Sequence, residues 1–130
     1  KRLGLAGQAT AIMSVEEFLP AVGQGAIGIE TREDNKSVRD ILVRVDHVDT
    51  STAVACERAF LGALDGSCKT PIAGHATVSA GAVQFRGLIA RPDGGAAHDI
   101  VGTGARKDAA TIGAEAGREL KHHAGPGFFD

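Results

Sequence analysis

Two cysteines occur in the 130 residues, and their surroundings differ. Cys68 falls in Asp65-Gly66-Ser67-Cys68-Lys69-Thr70-Pro71-Ile72-Ala73-Gly74-His75, where glycine and proline interrupt any regular element and leave an open loop. A thiol in a loop is available for chemistry, and the adjacent Lys69 favours the thiolate, which is the nucleophilic form. Cys56 instead belongs to a helical run in which Ala53, Cys56, Phe60 and Leu64 recur on one face. Such a cysteine packs as a small core hydrophobe. The chain thus holds one thiol with a packing explanation and one without.

Other residues capable of chemistry are less sharply placed. Cys68 and His75 could meet as nucleophile and base, but seven residues with a proline between them guarantee nothing, and an ordinary surface thiol with a strand-initial histidine is the favoured reading of the pair by itself. His47, His75, His98, His122 and His123 are scattered, with no spacing that makes a metal site with either cysteine, so no metal is expected. Gly23-Gln24-Gly25-Ala26-Ile27-Gly28 has the G-x-G-x-x-G form of a dinucleotide loop. That chemistry needs a strand before the glycines and a helix starting among them, so that the pyrophosphate meets a helix N-terminus. Pro20 precedes them here and Ile27-Gly28-Ile29-Glu30 follows, which reads as a glycine loop entering a strand. Glu57-Arg58 is expected to make structural ion pairs at the base of the Cys68 loop, and Arg2 beside Lys1 reads by itself as solvated charge.

The elements that must position these groups follow from periodicity. Ser14-Val15-Glu16-Glu17 has the form of a capping box, but Pro20 allows only a short turn after it. Ala26 to Thr31 suits a short buried strand. Asp34 or Asn35 can cap a helix through about Arg44 with Val38, Ile41, Leu42 and Val45 on one face. Asp49 or Thr50 can cap a second helix to about Leu64, stopped by Gly66. Beyond the Cys68 loop, Ala76 to Ser79, Val83 to Arg91 and about Ala97 to Thr103 read as three strands of an antiparallel meander, joined by Ala80-Gly81-Ala82 and Pro92-Asp93-Gly94-Gly95. A last helix, from about Asp108 to Leu120, sets Ala109, Ile112, Ala116 and Leu120 toward the sheet. The fold class is α+β, with helix, three strands and helix from about residue 49 onward.

Composition narrows the function. A formal charge of -2 and no basic stripe interleaved with aromatics argue against a general nucleic-acid binder. No apolar run approaches the roughly 18 to 20 residues that cross a bilayer, and no long apolar signal segment follows Lys1-Arg2-Leu3-Gly4. Two cysteines give no disulfide framework, which fits a reducing cytosol. The sequence begins without methionine in what reads as the end of a helix, as a portion of a longer chain would.

Three segments together carry a resemblance. Leu19-Pro20-Ala21-Val22-Gly23-Gln24-Gly25-Ala26-Ile27-Gly28-Ile29-Glu30, then Glu57-Arg58-Ala59-Phe60-Leu61, then Gly66-Ser67-Cys68-Lys69-Thr70-Pro71-Ile72-Ala73 resemble, in wording, order and spacing, the C-terminal part of the porphobilinogen deaminases, or hydroxymethylbilane synthases. The resemblance covers essentially the whole chain. It implies a three-domain, monomeric, cytoplasmic transferase of heme and other tetrapyrrole biosynthesis. Residues 1–25 would end domain 2, residues 26–48 would return to domain 1 and link onward, and residues 49–130 would form domain 3. The first two domains are of the α/β kind found in periplasmic binding proteins.

By the same resemblance, Cys68 is the point where a dipyrromethane cofactor, built from two porphobilinogen units, attaches as a thioether. Four further porphobilinogens are joined with loss of ammonia, and hydrolysis releases hydroxymethylbilane. A soft thiolate suits capture of the electrophile that porphobilinogen becomes on losing ammonia. The pyrroles carry acetate and propionate groups, which arginine forks pair with; Arg2 matches one such arginine. Gln24 and Gly25 match the loop bordering the cleft, and Ser67 is counted with them as a binding residue, although the family often has Gly-Gly-Cys where this chain has Gly66-Ser67-Cys68. Ala6-Gly7-Gln8-Ala9-Thr10-Ala11 lacks the arginine that relatives often carry there. The family's catalytic aspartate and most cleft arginines belong to its N-terminal portion, so no catalytic residue is assigned here and this chain alone is expected to be inactive. Its partners would be porphobilinogen, the growing pyrrole chain and the N-terminal domains, with neither nucleic acid nor membrane. The alternative is a non-enzymatic α+β ligand-binding or thiol-sensing module in which Cys68 is reversibly oxidised.

Overall fold

The computed structural model of the chain describes residues 3–65 and 70–129. It is an α+β structure, as the periodicity implies. Strands β1 (Ile72–Ser79), β2 (Ala82–Ala90) and β3 (Ala97–Ala105) form an antiparallel sheet in the order β1-β2-β3. Alternation dictates its faces: Val83, Phe85, Gly87 and Ile89 of β2 are buried while Gln84 is exposed. Phe85 stands opposite Ala76 on one side and Gly102 on the other, so small residues flank the large ring. Ala80 and Gly81 both have positive φ, 50° and 79°, the form of a two-residue hairpin turn whose twist suits the strands it joins. At the second hairpin Arg91 N–H donates to the Ala96 carbonyl at 2.8 Å, and Asp93 accepts from Gly95 N–H at 2.8 Å.

Helix α1 spans Lys36–Leu42, α2 Val48–Ala63 and α3 Ala109–Ala124, with single 3-10 turns at Ala6–Gln8 and Arg106–Asp108. The core is made where α2 and α3 cover one sheet face: Cys56, Phe60 and Leu64 meet Val83, Phe85 and Ile89, joined by Ala109, Ala116 and Leu120. The Phe60 and Phe85 rings lie 4.9 Å apart. Gly87 makes room for them, because a Cβ there would come within 2.6 Å of Phe60 Cζ. The expected stripe on the last helix is present, but the helix also turns Gly113 and Gly117 toward α2.

Two expectations need correction. The cap of α2 is His47, whose Nδ1 accepts from Thr50 N–H at 3.3 Å, and not Asp49 or Thr50; an imidazole nitrogen can serve where a hydroxyl or carboxylate was expected. Asn35 does cap α1, accepting from Val38 N–H at 3.2 Å. Ala26 to Thr31 forms no strand: Ile27 is 93% and Ile29 62% exposed. A strand is made by its neighbours, and among the described residues this segment has no strand to pair with. No residue of α1 is buried either. Finally, the Ser14 hydroxyl accepts from Glu17 N–H at 3.2 Å over a single turn, as the proline requires.

Candidate functional site

Cys68 and Ser67, with Gly66 and Lys69, lie outside the described residues, and so does Arg2. The elements on either side of residues 66–69 are fixed. Asp65, at positive φ of 52°, follows the Leu64 C-cap of α2, and its carboxylate pairs with the Lys121 ammonium on α3. On the other side Ile72 N–H donates to the Thr70 carbonyl at 2.8 Å, and Ala90 N–H of β2 donates to the Pro71 carbonyl at 2.9 Å.

Gln24 and Gly25 occupy a tight turn in which Gln24 N–H donates to the Ala21 carbonyl at 3.0 Å and Ala26 N–H to the Gly23 carbonyl at 3.2 Å. Gly23 and Gly25 have φ of 71° and 82°, where a side chain would be strained. No helix starts among these glycines, so the dinucleotide-loop geometry is absent. Both Gln24 and Gly25 are exposed. The turn is attached to the helix-sheet unit by three contacts. Gly74 N–H donates to the Pro20 carbonyl at 2.9 Å. Val22 packs against the core beside Gly74, and the Glu57 carboxylate accepts from Gly23 N–H at 2.7 Å.

Glu57 has partners that its sequence neighbourhood does not announce. It forms no ion pair among the described residues; its second oxygen accepts from Ala76 N–H of β1 at 2.8 Å, and the residue is 6% exposed. A buried carboxylate is stabilised by charge-assisted bonds from backbone N–H groups as well as by a cation. Its spacing carried the signal: Ala53, Glu57, Phe60 and Leu64 also recur at helical intervals, which puts an acid on the buried face. Arg58, exposed, points the other way and lines an open groove of about 980 Å³ with Val22, Gly25, Ile27, His47 and Leu61.

Cys56, the thiol that the structure describes, has the surroundings its helical spacing implies. Cys56 is 0% exposed, and burial, reinforced by the Glu57 charge, pushes its thiol up to about 11 despite a bond from the Gly113 backbone. It is unfit as a nucleophile near neutrality. His75, half-buried in β1, stands opposite Arg86. Arg86 donates to the Glu16 carbonyl at 2.9 Å and lies 3.8 Å from Asp99. Among the described residues no group of three His, Cys, Asp or Glu side chains is placed to hold a metal, and no helix is long and apolar enough to cross a membrane.

Residues 51–122 match the family model described as porphobilinogen deaminase, C-terminal domain, and residues 1–40 match that described as porphobilinogen deaminase, dipyromethane cofactor binding domain. Among curated proteins, the chain is 49% identical over 128 residues to a porphobilinogen deaminase of Nitrobacter hamburgensis, covering 98% of this chain and 40% of that protein. It is 48% identical to the Nitrobacter winogradskyi protein of that name over the same shares. It is 49% identical over 133 residues to the chloroplastic porphobilinogen deaminase of Oryza sativa subsp. japonica, covering 100% of this chain and 37% of the relative. The chain thus spans about 40% of the length of these relatives.

Proposed function

The chain belongs to the porphobilinogen deaminase family, and on that premise we propose that it supplies the anchor of the dipyrromethane cofactor, through a thioether to Cys68, in a hydroxymethylbilane synthase. The observation that carries this reading is the contrast between the thiols: Cys56 is sealed in the core with its thiol raised to about 11, which leaves Cys68 as the sulfur able to react. The residues fit such a group. Lys69 adjoins the sulfur in sequence, α2 and β1 precede and follow residues 66–69, and the Gln24-Gly25 turn is fastened to those same two elements through Gly23 and Pro20.

Attachment needs no oxidant. The aminomethyl carbon–nitrogen bond of a porphobilinogen breaks, a carbon–sulfur bond to Cys68 forms, and the thiol proton leaves with the ammonia. Once bound, the dipyrromethane supplies the nucleophilic pyrrole end to which four porphobilinogens are added before hydrolysis releases hydroxymethylbilane. Arg2 pairs with an acetate or propionate group, while Gln24, the Gly25 backbone and Ser67 offer hydrogen bonds to the pyrroles. The proton-transfer group is supplied from outside this chain, which by itself does not turn over porphobilinogen.

Residues 1–25 complete domain 2, residues 26–48 return to domain 1, and residues 49–130 are domain 3. The unpaired, exposed Ile27 and Ile29 support the second assignment, since an apolar extended segment gains most by joining a sheet. The test is peptide mass spectrometry on the full-length enzyme that contains this chain. The Cys68 peptide carries a dipyrromethane, and Cys68→Ser removes both the adduct and the colour given by an aldehyde reagent for pyrroles. An unmodified Cys68 in active enzyme overturns the proposal.

A further inference from the structure

We infer that Glu57 is a positioning residue whose buried carboxylate fastens the Gly23-Gln24-Gly25 turn to α2 and β1, the elements that precede and follow the Cys68 anchor in the sequence. The inference rests on the roles proposed above for Cys68, Gln24 and Gly25. Its basis is geometric: one carboxylate oxygen takes Gly23 N–H at 2.7 Å and the other takes Ala76 N–H at 2.8 Å, from a helix that itself leads into residues 66–69. A single side chain therefore ties three segments, the turn, α2 and β1, and two of them flank the anchor.

The placement of this charge needs an explanation that packing does not give. A carboxylate 6% exposed among Cys56, Phe60 and Leu64 is costly unless its oxygens are bonded, and an apolar residue would fill the same face without that cost. What the carboxylate adds is a pair of divergent acceptors, each matched to one backbone donor. Among the described residues the turn has little else to hold it: two local hydrogen bonds, and the Pro20 and Val22 contacts that precede it. Its exposed Gln24 side chain gains a defined position only through its backbone. Glu57 thus acts on the reaction through the turn and not by contact with a pyrrole.

Glu57→Gln in the full-length enzyme is the direct test. Glutamine keeps the size but has one acceptor oxygen, so its amide N–H₂ faces a backbone N–H and one of the two bonds is lost. Amide exchange of Gly23 to Gly25 should rise about tenfold while β2 and α3 stay protected, and KM for porphobilinogen should rise about tenfold with kcat changed less than threefold. A merely structural role would lower the active fraction, hence apparent kcat, at unchanged KM, and that result overturns the inference. If the variant does not fold, the unaltered protein decides: the Gly23 amide is protected well beyond its exposed neighbours, and exchange at the unprotected rate overturns the clamp. A normal Cys68 adduct with unchanged KM and exchange in Glu57→Gln defeats the clamp alone. Absence of the adduct from active enzyme defeats the reading of Cys68, and the clamp's role in the reaction with it.

Discussion

Burial of the Cys56 side chain raises its thiol from 9.0 to about 11, and this makes stability depend on pH in one direction. Below about pH 9 folded and unfolded chains both hold the proton and the group contributes fully. As pH rises toward 11 the unfolded chain releases its proton first, so the folded state is progressively disfavoured. Cys56→Ala removes the effect, at a constant cost of about 1–2 kcal/mol for the cavity. Urea unfolding should therefore find the wild type ahead at pH 8 and that lead smaller by about 2 kcal/mol near pH 10.5; an equal lead at both pH values would contradict the assignment. The burial of this thiol was legible in the sequence, because helical spacing marks a buried face. The partners of Glu57 were not. Adjacent opposite charges in Glu57-Arg58 suggest ion pairing, whereas helical geometry sends neighbours to different faces, and backbone donors leave no trace in a sequence.

Helices α2 and α3 approach closely because α3 presents glycines. A Cβ at Gly113 would fall 1.9 Å from the Cys56 carbonyl oxygen, and one at Gly117 would fall 2.7 Å from both Ala63 Cβ and the Phe60 carbonyl oxygen. Gly113→Ala must therefore push the helices apart, and we expect a loss of about 3 kcal/mol despite the better helix propensity of alanine. Gly62, near the end of α2, has open space around its Cα, so Gly62→Ala should instead gain about 0.5–1 kcal/mol. Thermal unfolding of the two variants gives the comparison, and similar shifts would rule out close packing as the reason for Gly113. Apolar stripes made the sheet-facing side of α3 readable in advance. The α2-facing side was silent, since glycine contributes no hydrophobic signal, and the imidazole cap of α2 lay outside the usual capping residues.

The molecule as a whole divides into a packed unit, from α2 to the end of α3, and an N-terminal stretch fastened to it at few points. Residues 26–46 expose Ile27, Ile29, Ile41, Val43 and Val45, and none of them is buried. In the chain studied by itself, amides of residues 27–34 should exchange at near-unprotected rates while those of Phe60, Phe85 and Leu120 exchange last. Uniform protection across both regions would show that the stretch is held by contacts absent from this structure. The expected strand at Ala26 to Thr31 failed for the same reason that the meander succeeded. Three strands of this chain find each other through short hairpins, whereas a lone apolar run has the propensity of a strand without a partner.

The contacts that hold the Gln24 turn also govern how β1 meets solution. Strand β1 lies at one side of the sheet, paired among the described residues with β2 alone, so alternate N–H groups point outward and could recruit a strand from another molecule. Gly74 and Ala76 are two such donors, taken by the Pro20 carbonyl and by Glu57. With these donors occupied, the open side of the sheet is a poor template for a foreign strand. Loss of the Glu57 carboxylate thus brings a second liability, intermolecular strand addition, which concentrated protein should reveal as aggregation.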